Sequence, residues 1–127
     1  MTREMLRAKV HRITVTERNV EYEGSLTLDA SLMQASDLVP FEKVEVYDVD
    51  NGNRFSTYLI EGEKGRGACC VNGAAARLVE VGLKLIVASY CSLRESEVRG
   101  HRPKEVLVDS RNRVEVVKDH ESPDVRV

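Results

Sequence analysis

Apolar and polar residues alternate along most of this 127-residue chain. The alternation has a period of two, which is typical of half-buried β-strands. It predicts strands over residues 11–16, 20–29, 43–49, 54–60, 68–71, 84–90, 105–108 and 114–117. The period changes in two places, where short helices are expected: one over residues 32–36 with Asp29 as N-cap, and one running through Leu78 with Asn72 as N-cap. Many short strands with close turns predict a mostly β fold, a compact and mostly antiparallel barrel or sandwich.

The segments between the strands carry turn and loop signals. Asn51-Gly52 predicts a tight hairpin turn because both residues accept positive φ. Residues 17–19 are expected to form a turn, and residues 94–102 a loop. The glycine-rich residues 61–67 lack the spacing of a phosphate-binding loop and are expected to be a connection only. The charged tail, residues 118–127, is expected to fray.

One predicted strand contains an irregularity. Within residues 20–29 the apolar parity is interrupted by Gly24, and Ser25 follows it. Glycine inside a strand marks a bulge, a bend or a close backbone approach. On this stretch alone a simple bulge is the favoured interpretation. The alternative is that the chain bends so that the Ser25 hydroxyl reaches the Gly24 carbonyl.

Composition narrows the class of protein. The chain is long enough for one domain with a real core. A net charge of −2 and a pI of about 5.9 argue against a nucleic-acid binder. No apolar run is long enough to span a membrane, and the charged N-terminus does not resemble a signal peptide. Three cysteines without a pairing pattern favour a reducing, cytoplasmic location.

Few side chains form a catalytic motif by themselves. The three histidines lack the spacing of zinc ligands, and His101 and His120 are expected to be solvated. His11 has inward parity and is either a satisfied interior group or a site residue. Ser25 lacks the glycines of a hydrolase elbow. Lys9 and Arg54 are either surface cations or, if they converge, a pair suited to a dicarboxylate.

Four segments together carry a family resemblance. They are Lys9-Val10-His11-Arg12, Tyr22-Glu23-Gly24-Ser25, Asn51-Gly52 with Arg54-Phe55-Ser56-Thr57-Tyr58, and Val71-Asn72-Gly73-Ala74-Ala75-Ala76. In this order and spacing the chain resembles the pyruvoyl-dependent aspartate 1-decarboxylases (aspartate alpha-decarboxylases) of bacterial pantothenate synthesis. The resemblance covers residues 1–92. It implies a double-psi β-barrel with two or more short helices in a single domain of residues 1–127.

The resemblance also implies a chemistry. The chain would be made as a proenzyme that cleaves itself between Gly24 and Ser25, giving residues 1–24 and 25–127. Ser25 would become a covalent pyruvoyl group, with no metal and no pyridoxal phosphate. L-aspartate would form a Schiff base with this group and leave as β-alanine and carbon dioxide. A homotetramer with sites between subunits is implied, without nucleic acid or membrane partners.

The resemblance assigns roles residue by residue. Ser25 and Tyr58 would be catalytic, with Tyr58 as proton donor. Gly24, Ser25 and Thr57 would take part in cleavage, with Thr57 polarising the Gly24 carbonyl. The expected substrate-binding residues are Lys9, Arg54, Thr57, Asn72, Gly73, Ala74 and Ala75. His11 and Tyr22 are further candidates. The alternatives are a β-barrel binding module without catalysis and an immature proenzyme that needs an outside maturation factor.

Overall fold

A computed structural model describes residues 1–119, which form nine β-strands and three short helices. The strands are β1 Thr2–Thr14, β2 Glu17–Asn19, β3 Ser25–Asp29, β4 Lys43–Asp48, β5 Arg54–Gly62, β6 Cys69–Asn72, β7 Lys84–Arg94, β8 Lys104–Val108 and β9 Val114–Asp119. The helices are α1 Ala30–Ser36, a 3-10 helix Gly73–Leu78 and α2 Glu95–Val98. Each of these helices, within residues 1–119, is too short to cross a bilayer.

The strands form one sheet in the order β2-β6-β3-β5-β4-β7-β1-β8-β9. Most neighbouring strands are antiparallel, but β1–β8, β2–β6 and β3–β5 are parallel. The sheet curls back on itself just after β1. The Thr16 amide donates to the Cys69 carbonyl at 2.9 Å, and the Cys69 amide donates to Thr16 Oγ1 at 2.9 Å. These bonds join the end of β1 to β6, on the far side of the sheet, as closure of a barrel requires.

The inner face of the sheet holds the core. Val44 and Val46 of β4 are buried, as are Leu26 of β3 and Leu59 of β5. Side chains alternate across a strand, so the residues between them face outward. On β4 these outward residues are Lys43, Glu45 and Tyr47. The outer face of the sheet therefore carries charged and phenolic groups, while the inner face is apolar except for Asp48 at the end of β4, which is also buried.

The strand expected over residues 20–29 is only half present. Residues 20–24 form a turn and a bend, and the strand begins at Ser25. Asn19 makes this turn, because its carbonyl accepts from the Tyr22 amide and its Oδ1 accepts from the Glu21 amide at 3.1 Å. Gly24 therefore lies at the end of a loop rather than at a bulge within a strand.

Other boundaries also differ from the sequence predictions. Residues 17–19, expected as a turn, form β2 because they pair in parallel with β6. The expected loop 94–102 contains α2, and His101 is not simply solvated, since its Nε2 lies 2.6 Å from the Leu6 carbonyl oxygen. Residues 118 and 119 belong to β9. The rest of the expected tail, with His120, lies outside the described residues.

The two expected N-caps behave differently. Asp29 caps α1 as predicted, and its carboxylate accepts from the Ser31 amide at 2.8 Å. Asn72 stands at the N-cap position of the 3-10 helix, but its side chain makes no capping hydrogen bond. The amide of Asn72 is directed instead at β3, across the β3–β6 pair.

Candidate active site

Ser25 and Asn72 are neighbours across two antiparallel strands. Ser25 is the first residue of β3 and pairs with Asn72, the last residue of β6. Asn72 Nδ2 donates to Ser25 Oγ at 3.0 Å and lies 3.3 Å from Thr27 Oγ1. Ser25 Oγ in turn donates to the Glu23 carbonyl at 3.3 Å. Both Ser25 and Asn72 are buried, so these bonds fix the hydroxyl away from water.

Cys70 extends this group of hydrogen bonds. It lies opposite Thr27, on the same face as Asn72, and its Sγ is 3.1 Å from Asn72 Oδ1. Burial raises the pKa of Cys70 to about 11, and the Glu17 carboxylate, 3.7 Å away, adds to this. The thiol is therefore protonated at neutral pH. Sequence reasoning missed Cys70, because the predicted strand ended at Val71 and Asn72 was assigned to a helix cap, whereas β6 includes Asn72 and gives the two residues the same parity.

Gly73 packs directly against the Gly24 backbone. Its φ is +77°, and a Cβ placed on it would lie 2.6 Å from Gly24 Cα and 2.8 Å from Gly24 N. The same Cβ would be 3.2 Å from the Tyr22 carbonyl oxygen. Only glycine fits this position, both for its backbone angle and for the close approach. Gly73 and Gly24 are thus brought together, and Tyr22 joins them through its backbone while its ring is exposed.

The two alanines after Gly73 lie in the first turn of the 3-10 helix. Ala74 is exposed, and Ala75 packs partly against the core. Along the chain, both alanines come directly after Gly73, the residue that packs against Gly24. Both alanines remain candidates for substrate contact through the backbone, as expected from the sequence.

Thr57 and Tyr58 come close to this site through β5. β3 and β5 are parallel, with Leu26 opposite Leu59. Ser25 and Tyr58 each precede one of these paired leucines, so their side chains lie on the outward face of the sheet. Thr57 has the opposite parity and pairs with Val44. The Tyr58 ring stacks on Phe41, with a centroid distance of 6.2 Å and an interplanar angle of 28°. Phe41 was not singled out by sequence reasoning.

Lys9 and Arg54 do not converge within one chain. Arg54 lies on β5 and Lys9 on β1, with β4 and β7 between them. Three strand spacings separate them by about 14 Å along the sheet. Lys9 Nζ is 3.6 Å from Glu105 Oε2, and the Arg54 guanidinium carbon lies 4.6 Å from the centre of the Tyr47 ring. Within a single chain, Lys9 and Arg54 therefore do not form the converging pair expected for binding a dicarboxylate.

The outer face between these two cations is a shallow depression of about 380 Å³. It is lined by Glu4, Lys43, Glu45, Tyr47, Ala88 and Tyr90. The hydroxyls of Tyr47 and Tyr90 are 2.9 Å apart. Burial raises the pKa of Tyr47 to about 12, and the hydrogen bond with Tyr90 contributes to the rise. Both phenols supply hydroxyl groups that can donate or accept hydrogen bonds at this surface.

His11 lies next to Lys9 on β1 and is half-buried. Its Nδ1 is buried and has no hydrogen-bond partner among residues 1–119. Burial lowers the pKa of His11, and the charge of Lys9 lowers it further, so the ring is neutral at pH 7. The described residues, 1–119, contain no cluster of three His, Cys, Asp or Glu side chains placed to hold a metal ion.

Comparison with known proteins decides the family. A profile of the aspartate decarboxylase family matches residues 1–115. The chain belongs to this family. An aspartate 1-decarboxylase of Clostridium botulinum (strain Loch Maree / Type A3) is 49% identical over 121 residues, covering 95% of each chain. One from Caldicellulosiruptor saccharolyticus is 51% identical over 111 residues, covering 87% of each chain. One from Ralstonia nicotianae is 49% identical over 118 residues, covering 93% of this chain and 98% of the relative.

Family membership confirms the resemblance expressed by the four sequence segments. It also confirms the fold class, since the curled, mostly β sheet with short helices is consistent with the double-psi β-barrel of aspartate decarboxylases. The site residues fall into two groups in one chain. One is the buried group around Ser25, Asn72 and Gly73, and the other is the outward surface that carries Lys9 and Arg54.

Proposed function

We propose that this protein is a pyruvoyl-dependent aspartate 1-decarboxylase that converts L-aspartate to β-alanine and carbon dioxide. Its product would serve cytoplasmic pantothenate synthesis. Relatives named aspartate 1-decarboxylase align with this chain over 95% and 98% of their own length. The structural observation that supports the proposal most is the buried hydrogen bond from Asn72 Nδ2 to Ser25 Oγ, directly after the Gly24–Ser25 bond.

Maturation would begin with the Ser25 hydroxyl. Its oxygen attacks the Gly24 carbonyl carbon, the C–N bond breaks, and the acyl group passes from nitrogen to oxygen. β-Elimination then releases Gly24 as a carboxylate and leaves a dehydroalanine at position 25. Water adds to this residue and ammonia leaves, so that a pyruvoyl group caps residues 25–127. Thr57, in the neighbouring strand β5, would donate a hydrogen bond to the Gly24 carbonyl.

The surroundings of Ser25 suit such a group. The Asn72 amide, now bound to Ser25 Oγ, can donate to an oxygen at that position. Gly73 leaves the backbone of Gly24 accessible at close range. A pyruvoyl group would supply a ketone that accepts the substrate amine and withdraws electrons as carbon dioxide leaves. Tyr58, one strand away on the same face, would return the proton, since its phenolic hydroxyl is a hydrogen-bond donor.

The positions of Arg54 and Lys9, the two candidates for binding the substrate carboxylates, support a site shared between subunits. Arg54 is four residues from Tyr58 on the same face of β5, which is about 13 Å along the strand. Lys9 is farther away, across two strands. Within one chain Lys9 Nζ is paired with Glu105 and the Arg54 guanidinium lies over the Tyr47 ring, each on a strand other than the β3 of Ser25. We propose that a neighbouring subunit of a homotetramer brings its outward surface to the Ser25 site.

Intact-mass analysis of the purified protein, with carbon dioxide release from L-aspartate, tests this function. We expect two chains, residues 1–24 and a pyruvoyl-capped 25–127, and release of β-alanine. Ser25→Ala should give one uncut, inactive chain, and cutting of that variant would refute the mechanism. An uncut wild-type chain without activity would favour a binding module, and cutting only after addition of cell extract would indicate an outside maturation factor.

Arg54→Ala tests the substrate site separately from maturation. It should be cut normally but lose about 10- to 100-fold in kcat/KM, because a charge-assisted hydrogen bond to a substrate carboxylate is lost. Arg66→Ala is the control, since Arg66 is an exposed loop arginine paired with Glu63. Equal activity of the two variants would remove Arg54 from the site.

A further inference from the structure

Phe41 has an unusual conformation for its residue type. Its φ is +71°, in the left-handed region, where bulky side chains are rare. Its side chain is 77% exposed. The free energy gained by burying an apolar side chain, which could offset this strained backbone in a core phenylalanine, is therefore largely missing at Phe41. A residue held in a rarely populated conformation points to a constraint from its surroundings.

The constraint comes from β5, next to Tyr58. The Phe41 amide donates to the Leu59 carbonyl at 2.7 Å, and the Leu59 amide donates to the Glu42 carbonyl at 3.1 Å. The backbone of residues 41 and 42 is thus bound to β5 at the residue that follows Tyr58. This attachment places the Phe41 ring against the ring of Tyr58.

The Glu42 side chain secures the same loop to two further strands. Its Oε2 accepts from Arg7 Nη2 of β1 at 2.7 Å and from the Ser89 hydroxyl of β7. Its Oε1 accepts from the Val39 amide at 3.1 Å. Burial alone would raise the pKa of Glu42, but the bonds from Ser89 and Arg7 outweigh it and lower that pKa. Glu42 therefore stays charged at neutral pH, and the loop before β4 is fixed.

We propose that Phe41 is a positioning residue that holds the Tyr58 ring in the orientation needed for proton transfer. The inference rests on the proposed function, in which Tyr58 donates the proton. The stacked ring restricts rotation of the phenol and shields one of its faces from water. Because Phe41 does not touch the reacting atoms, its effect passes entirely through Tyr58.

The test uses the full-length enzyme and two substitutions of Phe41. Phe41→Asn removes the ring but keeps a residue that tolerates positive φ, and Phe41→Tyr keeps the ring. Phe41→Asn should be cut normally, keep its KM and unfolding midpoint, and lose about two- to tenfold in kcat, the size of an aromatic pair. Phe41→Tyr should retain kcat. Val39→Asn, at an exposed residue of the same loop, is the control and should retain kcat.

A double-substitution cycle shows whether the effect passes through Tyr58. In a Tyr58→Phe background, Phe41→Asn should cause no further loss of kcat. Equal losses in both backgrounds, or wild-type kcat in Phe41→Asn, would overturn the proposal. So would a changed oligomeric state of Phe41→Asn in size-exclusion chromatography, since the loss would then come from assembly. A wild-type protein without activity on aspartate would instead refute the proposed function itself, and the inference with it.

A spectroscopic readout is independent of catalysis. The chain contains four tyrosines, so 3-fluorotyrosine labelling of the uncut Ser25→Ala protein gives a short 19F spectrum. The Tyr58 signal is assigned by its loss in Tyr58→Phe. Phe41→Asn should shift this signal, and Val39→Asn should not. An unshifted Tyr58 signal in Phe41→Asn would show that the two rings do not interact and would overturn the proposal.

Discussion

Gly73→Ala should slow self-cleavage strongly while leaving the fold intact. The added Cβ would lie 2.6 Å from Gly24 Cα. Carbon atoms in contact normally stand about 3.5–4.0 Å apart, so the Gly24 backbone would have to retreat by about 1 Å. A displacement of about 1 Å at a reacting centre costs about 100-fold in rate. We therefore expect cleavage of Gly73→Ala to be about 100-fold slower than that of the wild type.

Gly82→Ala is the matched control. Gly82 also has a positive φ, +95°, but a Cβ there would meet nothing within 4 Å. Both variants pay the same kind of backbone cost, about 1–2 kcal/mol of the free energy of unfolding. Only Gly73→Ala adds a clash with the scissile segment. A difference between the two in cleavage rate thus isolates the contact with Gly24.

The assay follows intact mass against time after rapid purification of each variant. Loss of the 127-residue chain and appearance of residues 25–127 give the rate, and urea unfolding gives stability. If Gly73→Ala were cut as fast as Gly82→Ala, the contact between Gly73 and Gly24 would not control cleavage. If Gly73→Ala failed to fold while Gly82→Ala folded, the steric argument would be refuted in its present form.

Asp29→Asn should lower the free energy of unfolding by about 2–3 kcal/mol at pH 7, because the carboxylate accepts from three backbone amides. Burial alone would raise the pKa of Asp29, but the hydrogen bonds lower it, so this stability is present at neutral pH and is lost as pH falls through the pKa of the folded state. In urea unfolding, the difference in unfolding free energy between wild type and Asp29→Asn should therefore be smaller at pH 3 than at pH 7. Cys70→Val should be cut about three- to tenfold more slowly than Cys70→Ser, which keeps a donor facing Asn72 Oδ1, and equal rates in intact-mass time courses would contradict this role. Burial lowers the pKa of His11 below its ordinary 6.5, so the unfolded chain binds this proton more readily than the folded one. The wild type should therefore lose stability as pH falls below about 6.5, and His11→Asn should lose less over the same range in thermal unfolding.

Local sequence signals placed most of the elements correctly. The alternation around Val44 and Val46 predicted β4, and Asn51-Gly52 predicted the turn into β5. Asp29 was identified as the N-cap of α1, and it caps that helix. These features depend on residues close in sequence, through side-chain parity, turn geometry and capping. Such signals are legible without knowledge of the rest of the chain.

Other features could not be read in this way, because they arise where distant segments pair. Residues 20–24 alternate like a strand, yet the turn at Asn19 and the contact of Gly73 with Gly24 hold them as a loop. Asn72 looks like a helix cap, but pairing of β6 with β3 turns its amide toward Ser25. The placement of Phe41 on Tyr58 likewise follows from the attachment of its loop to β5.

The sequence by itself determined the family, the β-rich character and the candidate residues, because motifs and periodicity are properties of neighbours along the chain. Only the tertiary structure decided which candidates meet. It united Ser25, Asn72 and Gly73, and it held Lys9 apart from Arg54 by placing two strands between them. The order of strands in a sheet is set by packing of the whole core, and no local pattern encodes it.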